Sequence, residues 1–151
     1  MKKNEVPWHY VARRIIDPLC RDDRLSEKEV LDIFFSSDIC GRVLSGRADI
    51  DRETDILRSL TSVLNPLEQP PNGKAYGWAV GIILSNVQRF SEIYGTDPTE
   101  TYRRLRSSPL MDDIISDSDL WQIDTEAGSF GIIEDELCKA FRLAKVKAIK
   151  A

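Results

Sequence analysis

Apolar positions along the chain recur every three to four residues, and few segments alternate with period two. That period is the signature of helices with one buried face. Residues 7–20 place Val11, Ile15, Ile16 and Leu19 on one face, with Arg13 and Arg14 opposite. Pro18 is expected to bend this helix or end it early. Ser26 and Glu29 form an S-x-x-E capping box ahead of Val30, Ile33 and Phe34, so a second helix starts there. A short third helix spans 38–45, stopped by Gly46. Asp49 to Leu64 reads as a loop feeding a fourth helix, with Ile56, Leu57, Leu60, Val63 and Leu64 facing inward.

Three prolines and an Asn-Gly pair between Asn65 and Gly73 break the helical pattern. Beyond them, residues 75–94 form a long helix whose first half is apolar nearly all round, implying deep burial. Asp97-Pro98-Thr99-Glu100 is a second N-terminal capping signal. Ser108-Pro109 is a third, followed by a short helix through Leu110, Met111, Ile114 and Ile115. Residues 117–129 read as a loop. The last helix runs from about Phe130 into the tail, with Ile133, Leu137, Phe141 and Ala144 in register. The fold class is all-α.

The second half repeats the first at one constant offset, without a gap through the capped helix. Ser26 falls on Asp97, cap on cap. Glu29, Ser36, Ser37 and Ser45 fall on the identical residues Glu100, Ser107, Ser108 and Ser116. Ile16 meets Val87, Leu19 meets Phe90, and Val43-Leu44 meets Ile114-Ile115. Internal repetition of this kind is a sign of tandem units. The expected organisation is two tandem helical units of about four helices each, 1–65 and 75–151, joined by a Pro-rich linker at 66–74. The second unit carries an insertion in its loop at 118–129.

A capped L-S-x-x-E helix followed by a short L-x-x-x-I helix and a final helix resembles small uncharacterised bacterial helical domains. The residues that carry the resemblance are Leu25, Ser26, Glu29 and Phe34 in the first copy, and Glu100, Leu105, Leu110 and Ile114 in the second. Some of those domains are encoded beside ADP-ribosyltransferase-like toxins and are regarded as antitoxins. The resemblance implies an interaction role and transfers no functional residue.

Composition excludes several classes. At 151 residues and 42% apolar, the chain can build a core and is not a disordered protein. No apolar run approaches the ~20 residues of a membrane span, and no secretory signal opens the chain, so a cytoplasmic protein with no membrane partner is expected. Cys20, Cys40 and Cys138 each follow a branched aliphatic residue and read as buried hydrophobes in a reducing compartment. A single histidine, His9, rules out sites needing two. It sits at a helix start, where a capping role outweighs catalysis. Asp49-Ile50-Asp51 and Asp117-Ser118-Asp119 lack the glycine and the closing glutamate of a calcium loop. No phosphate-binding loop or nucleophile elbow is present. No catalytic residue, cofactor or metal site is therefore assigned, and a non-enzymatic protein is expected.

The net charge of -4 conceals a local asymmetry. From Ser107 to Cys138 there is no Lys or Arg, while nine acidic residues occur, from Asp112 to Glu136. A basic tail follows, with Lys139, Arg142, Lys145, Lys147 and Lys150. Such an acidic face can occupy a partner's basic groove by charge complementarity. The partner-binding residues expected are Asp112, Asp113, Asp117, Asp119 and Trp121, and the expected role is an antitoxin or inhibitor that binds a basic protein. The alternative is a helical DNA-binding regulator that presents Arg42 and Arg47 from the short third helix. An acidic chain is a poor match to duplex DNA, which demands a basic face.

Overall fold

The computed structural model describes residues 6–68, 78–117 and 126–146, with the side chains of 126–129 excepted. Within them lie eight helices and no strand. They are α1 (Trp8–Arg21), α2 (Glu27–Ser36), α3 (Asp38–Leu44), α4 (Ile50–Leu60), α5 (Trp78–Tyr94), α6 (Pro98–Arg106), α7 (Leu110–Ser116) and α8 (Glu126–Phe141). The protein is all-α, as its period predicts.

Helix starts follow local chemistry. The Ser26 hydroxyl accepts from the Glu29 N–H at 3.4 Å, and the Asp97 carboxylate accepts from the Glu100 N–H at 3.0 Å. Ser37 and Ser108 accept from the N–H groups of Ile39 and Leu110 at the heads of the short helices. Each cap satisfies a backbone donor that the helix leaves unpaired. Gly46 and Gly95 adopt φ of +75° and +69°, closing α3 and α5 in the left-handed region that glycine tolerates.

Three expectations change in detail. Pro18 does not end α1, which continues to Arg21, with the Asp22 N–H bonded to the Pro18 carbonyl at 2.8 Å. The last helix begins at Glu126, one turn ahead of Phe130, and closes at Phe141 with Arg142 at a φ of 56°. Only part of the face expected of α4 turns inward: Leu57 is fully buried and Ile56 and Leu64 pack against the core. Glu53, Thr54, Leu57 and Thr61 are buried, while Leu60 and Val63 are exposed, Val63 at 82%. The polar residues on that face are satisfied where they lie. Thr54 and Thr61 donate to the carbonyls one turn back, and Glu53 holds Arg42. The linker expected at 66–74 lies outside the described residues from position 69 onward. Where it leaves α4, the Leu67 N–H bonds to the Arg24 carbonyl at 2.7 Å, and the Arg24 guanidinium bonds to the Glu68 carbonyl.

The core runs through both halves. Ile15, Ile16 and Leu19 of α1, Phe34 of α2, Ile83, Leu84 and Phe90 of α5, Leu105 of α6 and Leu137 of α8 are fully buried in one cluster. Helices α1 and α5 pair at its centre. They approach closely at Gly81, where a Cβ would stand 2.7 Å from a terminal nitrogen of Arg13. Polar ties cross the same boundary. The buried Glu27 carboxylate accepts from the Val80 N–H in the first turn of α5. Asp32 accepts from the Tyr102 hydroxyl at 2.6 Å and from Arg106 at 2.9 Å, while Phe35 stacks on the Tyr102 ring at 4.2 Å. A tyrosine and a guanidinium converging on one carboxylate fix the angle between α2 and α6 more narrowly than apolar contact alone.

Candidate protein-binding surface

Helix α7 is the element that presents the expected acidic residues. Met111 and Ile114 face the core, and Asp112, Asp113 and Asp117 face outward, all exposed. The carboxylates of Asp112 and Asp113 suit the first turn, where the helix dipole favours negative charge. Asp117 is at the other end, as the C-cap, where the dipole opposes it. It also stands at i+4 from Asp113, a spacing at which like charges repel.

These three carboxylates are not equivalent. Asp112 bonds to the Lys28 ammonium at 2.9 Å, and that contact holds its carboxyl below the ordinary aspartate range. Among the described residues, no basic group lies within ion-pair distance of Asp113 or Asp117. Asp119 and Trp121 lie outside the described residues.

Part of the remaining acidic block is paired from within. Lys145 reaches back from the tail to Asp135 at 2.8 Å and to Glu134 at 3.9 Å. Glu134 also accepts from the Tyr94 hydroxyl at 2.7 Å, and that hydroxyl accepts from the Val146 N–H. Burial and the Glu134 contact push the Tyr94 phenol up. The reversal of charge along the sequence is thus in part an intramolecular pairing. Among the described residues of the block, Asp113 and Asp117 at α7 are left without an ion-pair partner.

The basic candidates are also engaged. Arg42 forks onto Glu53, at 2.8 and 2.7 Å, and Glu53 is only 1% exposed. The Arg42 hydrogen bond keeps the Glu53 carboxyl below the usual range, outweighing its burial. Arg47 is exposed and donates to Ser45 at 3.1 Å. The arginine cluster at the end of α6 is likewise tied down. Arg103 and Arg104 share Glu100, at 2.5 and 2.8 Å, and Arg106 holds Asp32. Between α6 and α8, Glu100, Arg103, Arg104 and Glu136 line an open cleft of about 400 Å³.

The thiols are packing groups. Cys20, Cys40 and Cys138 are all buried and unpaired in disulfides. Burial pushes the Cys20 thiol far up, and pushes Cys40 up against the opposing effect of its Thr99 contact. Among the described residues, no group of His, Cys, Asp and Glu is arranged to hold a metal ion, and no helix is long and apolar enough to cross a membrane.

Sequence reasoning missed Glu27, Lys28, Asp32 and Tyr102. Their roles depend on partners 53 or more positions away in the chain, and no local spacing announces such pairs. The offset that sets Ser26 on Asp97 also sets Arg42 on Asp113, so the two separately chosen candidate surfaces share one register position in the two halves. Comparison of the chain with protein-family models, with curated proteins and with solved structures gives no match.

Proposed function

We propose that the chain is a non-enzymatic protein-protein interaction module of the antitoxin or inhibitor type, which binds a basic partner through the acidic face of α7. The observation that carries this reading is the pair Asp113 and Asp117. They are exposed, one helical turn apart, and unneutralised among the described residues. Locally this arrangement is unfavourable twice over, through like-charge repulsion and through the dipole at the C-cap. A cationic partner relieves both. The platform beneath is anchored by Met111 and Ile114, so little ordering accompanies binding. The raised thiols of Cys20 and Cys40 support a packing role over nucleophilic chemistry. The resemblance to antitoxin-like domains points to a toxin as the partner, and the bacterial cytoplasm as the setting.

The test is affinity capture from a bacterial lysate with the native chain, with an Asp113→Lys/Asp117→Lys variant, and with Asp55→Lys on exposed α4 as the control. The reading expects one basic protein that is retained by native chain and control and lost by the double variant. Equal recovery by all three removes α7 from the binding surface.

A further inference from the structure

Helices α2 and α6 begin at Glu27 and Pro98, which are register equivalents, and the backbone features around them keep the same interval. The caps Ser26 and Asp97 accept from Glu29 and Glu100. Ser36 and Ser107 donate to the carbonyls of Asp32 and Arg103. Ser37 and Ser108 accept from Ile39 and Leu110. The turn before each capped helix passes through the left-handed region at the same place, at Arg24 with φ 57° and at Gly95 with φ 69°. A left-handed arginine is uncommon. That it stands at the register of a glycine means that the path of the chain, not the residue type, is what the halves share.

Two like units can pack in two ways. In a stack, one unit offers one face and the next receives it on another, so a contact from position i to position j has no mirror. About a two-fold axis, a contact from i to j is matched by one from j to i. Here Thr99, the second residue of α6, meets Cys40 of α3 at 3.7 Å. Lys28, the second residue of α2, meets Asp112 of α7 at 2.9 Å. Thr99 and Lys28 are register equivalents, and Asp112 is the immediate neighbour of Met111, the equivalent of Cys40. Like also packs on like, α1 on α5 and α2 on α6.

We infer that the two halves meet as an isologous pair about an approximate two-fold axis. The surface that each half turns inward fits a second copy of the same helical unit, and the chain is a symmetric dimer joined into one polypeptide. Its clearest departure from symmetry is at Glu27, whose register equivalent is Pro98, with no carboxylate to give to α1. The axis does not depend on the acidic face but bears on it. It carries Arg42 onto Asp113, so one surface occurs twice with opposite charge, once closed by Glu53 and once open.

Symmetry makes a demand on distances that can be measured in the full chain. Ser36, Ser45, Ser107 and Ser116 are exposed and form two register pairs. Spin labels on Ser36→Cys/Ser116→Cys and on Ser45→Cys/Ser107→Cys, read by double electron-electron resonance, report the two mirrored separations. The unsubstituted chain gives the background from its three buried thiols. A second quartet, Arg21→Cys/Ser116→Cys against Ser45→Cys/Glu92→Cys, uses exposed sites at other elements. A two-fold arrangement expects each pair of distances to agree within about one helical turn, ~5 Å. Divergence beyond that in either quartet overturns it in favour of a stack.

Discussion

The Glu27 carboxylate, on α2, accepts a hydrogen bond from the backbone N–H of Val80, on α5, at 3.1 Å. The contact joins positions 53 apart in the chain. The carboxylate is nearly inaccessible, so this charge-assisted hydrogen bond is made away from water. Glu27→Ala is expected to cost about 2 kcal/mol in urea denaturation, the scale of a buried charge-assisted hydrogen bond. Glu29→Ala, an exposed neighbour on the same helix, serves as the comparison and is expected to lose less.

Arg42 and Glu53 give the fold an acid-sensitive point. The folded state holds the Glu53 carboxyl below its ordinary value, so the pair's contribution is complete above that value and fades as pH falls through the lowered one. The urea midpoint of the native chain is expected to drop as pH goes from about 5 toward 3, and Glu53→Gln to flatten that part of the drop. At neutral pH, Arg42→Ala lowers the midpoint because it strands a buried carboxylate. Arg47→Ala leaves it unchanged.

Tyr102 joins the two halves through its ring and its hydroxyl. Tyr102→Phe keeps the stack on Phe35 and the Arg106 contact to Asp32, and is expected to cost about 1 kcal/mol. Tyr102→Ala removes the ring and is expected to cost about 3 kcal/mol or more. Burial, with the Asp32 bond, pushes the Tyr102 phenol up, and the Tyr94 phenol is also raised. Both groups therefore stabilise the folded state below the ordinary phenol range, and that contribution is lost as pH rises above it. Absorbance titration at 295 nm is expected to show neither residue ionising until alkaline unfolding. An unchanged titration amplitude at pH ~10.5 in a Tyr94→Phe/Tyr102→Phe variant is the check.

Gly81 lies inside α5 beneath the Arg13 guanidinium, whose side chain is 40% exposed and can move outward. The helical gain from Gly81→Ala is up to about 1 kcal/mol, and displacing a flexible arginine end costs less than displacing backbone. Thermal denaturation is expected to show an unchanged or raised midpoint for Gly81→Ala. A clear fall identifies Arg13 as pinned, and Gly81→Leu is expected to fall in any case.

Native thiol accessibility offers one more measurement. At pH 8, a disulfide reagent is expected to leave all three cysteines unmodified in the folded chain and to titrate three thiols once it is unfolded.

Much of the local structure was legible because it rests on neighbours in sequence. The caps at Ser26 and Asp97 and the stop at Gly46 each involve residues within one turn. The face of α4 was legible only in part. Counting apolar side chains selected Leu57, Ile56 and Leu64, which pack inward, but also Leu60 and Val63, which do not, and it passed over the buried Glu53, Thr54 and Thr61. Those three are tolerated inside only because Arg42 and two backbone carbonyls meet them, and the Arg42 contact belongs to the tertiary fold. The acidic block was legible as composition. Its division into a part tied to Lys145 and an open part on α7 depends on where the tail folds, which composition does not encode.

The packing of α1 against α5 sets how this molecule responds to dilution. Both surfaces belong to one chain, linked by the segment between Leu60 and Trp78. Their packing is then part of the folding of a single chain. The denaturation midpoint should be the same at nanomolar as at micromolar protein, and the open acidic surface is present once per molecule however scarce the protein becomes.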